Sequence, residues 1–367
     1  MAEFKISNRQ FMVLIFLQIM GLVLSPGIWT GIAKQDGWLA ELVGIVLGLL
    51  VLWLFSRVAN LNSELNLIGL MGVIFGKPIG KTVTLCFIFA EFIAVSINVW
   101  LTATFITTQI LPQTPKQAIM ILLIAILIIG VRLGLETIAQ VAEILVPFVF
   151  GYFILAGIMV APNIHWENIQ PVLEHGITPV VKGALVYITI SSCSLLHFLL
   201  LVPFCTNQQK AGKSLIIASL VGSSLGFFFN LCTLLVLGVV QTSTALYPAY
   251  LVITKINIGD FLTRFEAVGA MFWLISSFYA MIIYLYAVVQ GLVQILSFKD
   301  HRPLTLPLGL VLFVTAMIIL PSTNYQINYM LTTNVPDVLV MAVVLPLVLY
   351  IVAKVRGYKA SNIKGLR

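Results

Sequence analysis

Long apolar segments with few charges recur along the whole chain, and they constrain its fold more than any other feature. The first covers about residues 10–33, and similar segments follow almost to the C-terminus. A helix needs about 20 apolar residues to cross the hydrocarbon core of a bilayer. The chain is 60% hydrophobic and 9% charged, which is too apolar for a soluble protein of 367 residues. We therefore predict an all-α polytopic membrane protein, with no role in nucleic-acid binding.

The apolar segments and the basic residues together predict a topology. Ten segments are long enough to cross a membrane: residues 10–33, 37–58, 81–110, 117–133, 136–161, 179–204, 213–240, 266–297, 304–321 and 335–355. Cytoplasmic loops are rich in Lys and Arg. With a cytoplasmic N-terminus, only five of the 20 Lys and Arg fall outside: Lys34, Lys116, Lys182, Lys255 and Arg264. We predict one integral membrane domain in the lipid bilayer, with both termini and the tail 356–367 in the cytoplasm.

The ten spans divide into two sets of five, which predicts an internal repeat. Repeat one covers about residues 10–161, and repeat two about residues 179–355. An odd number of spans per repeat turns the second copy upside down in the membrane. A long, partly amphipathic connection follows the second span of each set, at 61–80 and at 243–265. These connections would lie on opposite faces, as a 5+5 inverted repeat requires.

Spans one and six, which open the two sets, each contain residues that interrupt a helix. Span one contains Ser25-Pro26-Gly27, and span six contains polar residues from Thr189 to Ser194. Pro26 lacks an N–H and clashes with a preceding carbonyl, so nearby backbone groups need other partners in hydrocarbon. Paired interruptions at matched positions indicate discontinuous helices and a transporter-type binding site. A simple proline kink and a serine-lined helix contact remain the alternative.

The two interruptions supply the first candidate ligand-binding residues. Glycines in span one let a ligand or another helix approach the backbone closely. A half-helix that begins near Pro26 would present free N–H groups to an anion such as a carboxylate. Hydroxyl groups in span six would add hydrogen bonds. The candidates are Gly21, Leu24, Ser25, Gly27, Thr189, Ser191, Ser192 and Ser194.

Polar residues inside two further spans extend this candidate site. Glu91 lies well inside span three, where a carboxylate is costly and is a functional candidate by default. A role as a hydrogen-bonded packing residue remains open for it. The small Ala90 and Ala94 leave room beside it, and Ser276 and Tyr279 share a face of span eight. We therefore predict that spans one, three, six and eight surround a ligand.

The remaining titratable residues do not form a recognisable catalytic or metal site. Glu143 lies in a polar stripe on span five, where a charge relay and a structural ion pair both remain open. His197 and the four Cys residues lack the spacing of metal ligands. The sequence contains no nucleotide-binding loop, zinc motif or nucleophile–base arrangement. We predict no enzymatic activity, no metal and no cofactor.

Seven stretches occur in a recognisable order: KISNRQ at 5–10, DGWLA at 36–40, FGKPIGK at 75–81, LPQTP at 111–115, VRLGLETIAQVAEILVP at 131–147, NIQPVLEHGITPVVKGA at 168–184 and FLTRFEAVGAMFW at 261–273. Together they resemble the B subunits of the GerA-type spore germination receptors, which are related to the amino acid/polyamine/organocation permeases. The resemblance covers nearly the whole chain, and the ordered set is more specific than any one of its motifs.

This resemblance implies a fold, a function, a location and partners. It implies a LeuT/APC-like fold in the spore inner membrane of an endospore-forming bacterium. The partners would be a receptor A subunit in the membrane and a lipoprotein C subunit. The B subunit would sense a small-molecule germinant, commonly an amino acid, in a permease-like pocket and would trigger germination.

Span six departs from the family pattern. The family commonly has a Gly-Glu pair where this chain has Cys193-Ser194. Loss of that carboxylate removes an acceptor for an ammonium group or a proton, so a different amino acid, a sugar and a nucleoside all remain open as germinants. Two other functions also remain open, an ion- or proton-coupled amino acid transporter and a structural subunit that senses no ligand.

Overall fold

The computed structural model describes residues 5–256 and 265–358, and these residues are almost entirely helical. The α-helices are α1 (Asn8–Val23), α2 (Gly27–Ala33), α3 (Gly37–Ala59), α4 (Leu67–Phe75), α5 (Lys77–Phe105), α6 (Lys116–Leu133), α7 (Leu135–Val160), α8 (Ile177–Ile190), α9 (Gln208–Thr244), α10 (Pro248–Ile253), α11 (Phe265–Leu296), α12 (Arg302–Ile318), α13 (Thr323–Thr332), α14 (Asn334–Leu339) and α15 (Leu345–Val355). A 3₁₀ helix, Cys193–Leu200, follows α8, and a π-helical turn, Val340–Val344, joins α14 to α15. Most of the predicted tail and part of the connection 243–265 lie outside the described residues.

The predicted polytopic all-α class is confirmed. Eight of the described helical segments are long and apolar enough to cross a membrane, and α12 with α13, bent by 99°, makes a ninth. All ten predicted spans coincide with helices. The described residues thus contain up to nine segments of membrane-spanning length, where the sequence predicts ten spans. The numbers differ because α2 and α3 continue as one stretch, and because α1, with 16 residues, is shorter than a full span. Both differences have one cause, the early end of α1.

Both ends of the described chain lie on the same face of the molecule. Asn8, at the start of α1, donates a hydrogen bond to the carbonyl of Asn207, just before α9. Gly212, early in α9, packs against Ser56 near the end of α3. Arg356, after α15, donates to the end of α4, which follows α3 in the chain. This arrangement agrees with an even number of membrane crossings.

Spans one and six are both broken at the predicted positions. α1 ends at Val23 and α2 begins at Gly27, whereas α8 ends at Ile190 and the 3₁₀ helix begins at Cys193. Backbone groups at a break inside a membrane need hydrogen-bond partners from elsewhere in the protein. Neither span is a simply kinked helix, so the prediction of two discontinuous helices is confirmed.

A side chain from α9 satisfies the backbone at the first break. Nδ2 of Asn230 donates to the carbonyl of Val23 at 3.1 Å and to Oε1 of Glu41 on α3 at 3.0 Å. The backbone N–H of Ser25 donates to the same carbonyl at 2.8 Å. Asn230 and Glu41 are both buried, and no Lys, Arg or His of the described residues pairs with Glu41. The first break is therefore held by a buried network of hydrogen bonds.

A side chain from α1 contacts the second break in a corresponding way. Nε2 of Gln18 donates to the carbonyl of Ser194 at 3.0 Å. Ser194 is the second residue of the 3₁₀ helix that follows α8, and Gln18 is fully buried in α1. Each break is therefore bonded by a residue that belongs to the other set of five spans.

Close helix packing fixes the position of α1 beside α11. A Cβ built on Gly21 would lie 2.7 Å from the carbonyl carbon and oxygen of Ser276, and 2.8 Å from the backbone nitrogen of Ser277. These are backbone atoms, which cannot rotate away as a side chain can. Small residues allow this kind of close approach between membrane helices.

We expect Gly21→Ala to lower the thermal unfolding midpoint of the purified protein in detergent. The added methyl group would force α1 and α11 apart, and overpacking of this kind costs about 1–3 kcal/mol. Gly151→Ala is the matched control, because a Cβ at this exposed helical glycine meets nothing within 4 Å. Equal midpoints for the two variants would contradict the packing described here.

Asn230→Leu should also destabilise the protein, because it leaves the Val23 carbonyl and the Glu41 carboxyl with fewer donors. An unsatisfied buried polar group costs about 1–3 kcal/mol. Asn98→Leu is the control, since Nδ2 of Asn98 bonds only to the carbonyl of Ala94 in its own helix. Thermal unfolding of both variants tests the prediction, and a loss no larger for Asn230→Leu than for Asn98→Leu would refute it.

Candidate ligand-binding site

A cavity of about 890 Å³ lies between the two broken spans and the helices around them. Its wall includes both breaks, one side of α5, part of α11, the connection after α9, and residues of α13 and α14. Small-molecule sites typically have volumes of about 300–1,000 Å³. The cavity therefore has the size of a ligand site and borders the backbone of both interrupted helices.

Eight residues selected from the sequence lie in the wall of this cavity. They come from spans one, three and six, which were predicted to surround a ligand. They are Gly21, Ser25, Gly27, Ala90, Glu91, Ala94, Thr189 and Ser194. The fold thus brings together residues from the first and third spans of the first set of five and from the first span of the second set.

Three other candidates from the broken spans do not line this cavity. Leu24 faces a much smaller pocket, between α5, α7, α10 and α11. Ser191 is fully buried and donates to the carbonyl of Tyr187 at 2.9 Å. Ser192 packs against Gly48 of α3. A broken helix turns its residues in several directions, so hydroxyl groups that are adjacent in sequence need not face the same space.

The face that α11 turns toward the cavity also differs from the predicted one. Ser276 and Tyr279 are buried outside the cavity wall, and Oγ of Ser276 donates to the carbonyl of Phe272 at 3.0 Å. Ser277 and Tyr284 line the cavity instead. Neighbouring residues of an α-helix point about 100° apart. The sequence located the serine pair, but the rotation of α11 decided which serine faces the cavity.

Glu91 contacts a buried histidine at the edge of the cavity. Nδ1 of His197 lies 3.0 Å from Oε2 of Glu91, and Nε2 of His197 lies 2.9 Å from Oε1 of Gln18. Gln18 in turn bonds to the carbonyl of Ser194. Side chains of Gln18 and His197 are fully buried. A continuous series of polar contacts therefore runs from the cavity wall on α5, through the 3₁₀ helix, to α1.

The sequence motifs do not predict this series of contacts, and they indicate no role for His197, Gln18 or Glu41. All three are polar residues inside apolar spans. Such residues are costly in a membrane unless they are paired, and this cost was the signal that could have identified them.

Glu143 lies apart from the cavity. Its Oε1 is 3.1 Å from Nε of Arg9, at the start of α1, and the Arg9 side chain is 75% exposed. An ion pair this exposed contributes little to stability. The position of Glu143 therefore favours a structural ion pair over a charge relay.

Within residues 5–256 and 265–358, no three His, Cys, Asp or Glu side chains are placed to hold a metal ion together. Cys86, Cys193, Cys205 and Cys232 are unpaired. Cys193 lines the cavity, and the other buried cysteines pack among apolar side chains. The arrangement around the cavity is suited to binding a small molecule by hydrogen bonds and packing.

Solved structures of transporters share this fold. A nucleobase-cation-symport-1 family transporter in a closed conformation with bound bromovinylhydantoin matches 93% of this chain and 78% of its own, with a TM-score of 0.72 and 12% identity. MhsT in complex with L-phenylalanine matches 96% of this chain and 99% of its own, with a TM-score of 0.68 and 11% identity. Similarity at such low identity establishes the fold alone. The predicted LeuT/APC-like fold is therefore confirmed.

Sequence comparisons identify the family. Residues 5–325 match the family described as spore germination protein. The putative spore germination protein YfkT of Bacillus subtilis is 28% identical over 347 residues, which cover 94% of each chain. Spore germination protein KB of the same organism is 26% identical and covers 100% of this chain and 99% of its own. The resemblance found in the sequence motifs is confirmed, and this chain belongs to the spore germination protein family.

Proposed function

We propose that this protein is the germinant-sensing B subunit of a spore germination receptor. The observation that supports this proposal best is the cavity at the two helix breaks. Gly21 and Ser25 line it from span one, and Thr189 and Ser194 line it from span six. A small molecule in this cavity would contact both interrupted helices at once. Membership in the spore germination family supplies the biological setting.

Ligand binding would act by favouring one arrangement of the broken helices. A receptor needs only a higher affinity for one conformation than for another, and it needs no turnover. The backbone around Ser25 and Gly27 would accommodate a carboxylate or another polar group of the germinant. Ala90 and Ala94 would shape the space for its side chain, because both line the cavity and are small.

The proposed location is the spore inner membrane, with both termini in the cytoplasm. The common face of the two chain ends and the excess of Lys and Arg predicted for that face support this orientation. A receptor A subunit in the membrane and a lipoprotein C subunit are the proposed partners, as the resemblance to the B subunits of germination receptors implies.

Ala94→Leu should change germinant preference, because the larger side chain fills part of the cavity. We expect the response to the preferred germinant to need about 10–200-fold more ligand, as is typical when a pocket loses room for a few methyl groups. Ala125→Leu is the control, since Ala125 lies on the exposed face of α6. The measurement is the loss of optical density of spores that carry the receptor with its A and C subunits.

Immunoblots of the spore membranes would verify equal abundance of the three forms. An unchanged germinant preference for Ala94→Leu at normal abundance would contradict the proposed function and would favour a structural subunit. Uptake of a radiolabelled germinant into vesicles that contain this chain alone would instead favour a transporter.

A further inference from the structure

One side of the cavity is open toward the lipid, between α5 and span ten. Span ten consists of α14, the π-helical turn and α15, and it packs against α3, α4, α8 and the 3₁₀ helix but hardly against α5. Phe89 on α5 and Val340 on span ten both line the cavity, yet they are 67% and 54% exposed. A gap therefore separates these two spans, and through it the cavity meets the surrounding bilayer.

The exposed face of α5 leads along the membrane into this gap. Lys81, Leu85 and Phe89 are all exposed and recur every four residues, so they are neighbours on one face of the helix. Cys86, next to Leu85, is also exposed and lines the cavity. A helix rises 1.5 Å per residue, so Phe89 lies about 12 Å along α5 from Lys81. The hydrocarbon layer of one leaflet is about 15 Å thick, so an acyl chain that starts near Lys81 reaches the cavity wall.

Basic residues lie at the end of the gap that faces the cytoplasm in the predicted topology. The short helix α4 packs there against both α5 and α15. Nη1 of Arg356 donates to the carbonyl of Ile74 near the end of α4, at 2.7 Å, and Lys77 begins α5 three residues after Ile74. The turn between α4 and α5 and the end of α15 therefore share a basic cluster, which consists of Lys77, Lys81, Lys354 and Arg356.

The charges of the basic cluster are not neutralised within the described part of the chain. No described Asp or Glu forms an ion pair with any of the four residues, and all four are exposed. Arg356 uses one of its five N–H donors on Ile74 and keeps the others. Basic pockets between membrane helices on the cytoplasmic side bind anionic lipid headgroups. The cluster and the apolar gap together match the two parts of a phospholipid.

We propose that an anionic phospholipid of the cytoplasmic leaflet binds in this gap, with its phosphate at the basic cluster and one acyl chain along Leu85 and Phe89. The chain covers the open side of the cavity between Phe89 and Val340, and it separates the ligand space from the bilayer. A transmembrane helix of a partner would cover the same apolar surface. The four unpaired cations favour the lipid, because its headgroup neutralises them at the depth where its chain enters the gap. This inference does not depend on the proposed receptor function.

The first test measures lipid binding to the purified full chain by native mass spectrometry in detergent. The probes are palmitoyl-oleoyl phosphatidylglycerol and palmitoyl-oleoyl phosphatidylcholine, which have identical acyl chains and differ in headgroup charge. We expect one molecule of phosphatidylglycerol to bind at least about tenfold more tightly than phosphatidylcholine, because only the former has a net negative charge. Equal affinity for the two lipids would overturn the proposal.

The second test compares two pairs of substitutions. Lys77→Gln with Lys81→Gln removes two charges from the basic cluster and leaves the hydrogen bond of Arg356 in place. We expect it to weaken phosphatidylglycerol binding by about 30-fold, as the typical contribution of two basic residues near anionic lipid implies. Lys210→Gln with Lys213→Gln is the control, because these exposed lysines at the start of α9 lie on the same face of the molecule but away from the cavity wall. This pair should leave the affinity unchanged, and an equal loss for both pairs would refute a specific site.

The third test locates the acyl chain. Phosphatidylglycerol with a diazirine in one acyl chain is bound to the full chain and photolysed, and the modified peptides are identified by mass spectrometry. We expect labelling at residues 85–89 and at Val340–Val344, on the two sides of the gap. The labelling should fall in the Lys77→Gln, Lys81→Gln variant and persist in the Lys210→Gln, Lys213→Gln control.

Two results of the labelling experiment would overturn the proposal. Labels spread over the exposed faces of α6 and α12, with none in the gap, would mean that the lipid only surrounds the protein. Labelling of the gap in the isolated chain but not in the chain purified with its partner subunits would assign the gap to a partner helix. Neither result bears on germinant sensing, because no germinant is used.

Discussion

Two backbone carbonyls inside the membrane, those of Val23 and Ser194, determine how this protein is held together. Water is absent from the hydrocarbon core, so backbone carbonyls near a helix break depend on donors from the protein. Asn230 in the second set of spans supplies one donor, and Gln18 in the first set supplies the other. The two breaks therefore tie the two halves of the molecule together, instead of weakening it.

The same contacts connect the cavity to the scaffold. Gln18 bonds to the second break and to His197, and His197 contacts Glu91 in the cavity wall. Asn230 joins the first break to Glu41 on α3. A ligand that touches Glu91 or Ser25 is thus one or two side chains away from the groups that hold both breaks. These contacts therefore connect the cavity directly to the groups that hold the broken helices in place.

Fold and ligand are determined by different parts of this chain. The transporters with the same fold are only 11–12% identical to it, so the arrangement of broken helices tolerates almost complete replacement of the side chains. Such a scaffold fixes where a small molecule can bind, and a few polar side chains select which one. In this protein Glu91, Ser194 and Thr189 are polar side chains in the wall of one cavity.

The sequence by itself determined the membrane class, the positions of the spans and the two breaks. These features follow from local chemistry, namely the length of apolar runs, the missing N–H of Pro26 and the polar residues from Thr189 to Ser194. Seven motifs in order also identified the family. Each of these features is visible in a short stretch of the sequence or in the order of such stretches. Predicting them therefore does not require knowing which helices are neighbours.

Only the tertiary structure decided which polar groups meet. It placed Ser277 in the cavity wall rather than Ser276, and it turned Ser192 toward Gly48. It also paired Glu91 with His197 and Asn230 with Glu41. The rotation of each helix about its axis and the choice of its neighbours depend on packing across the whole bundle. A rotation of about 100° exchanges adjacent residues, and no local pattern in the sequence fixes that angle.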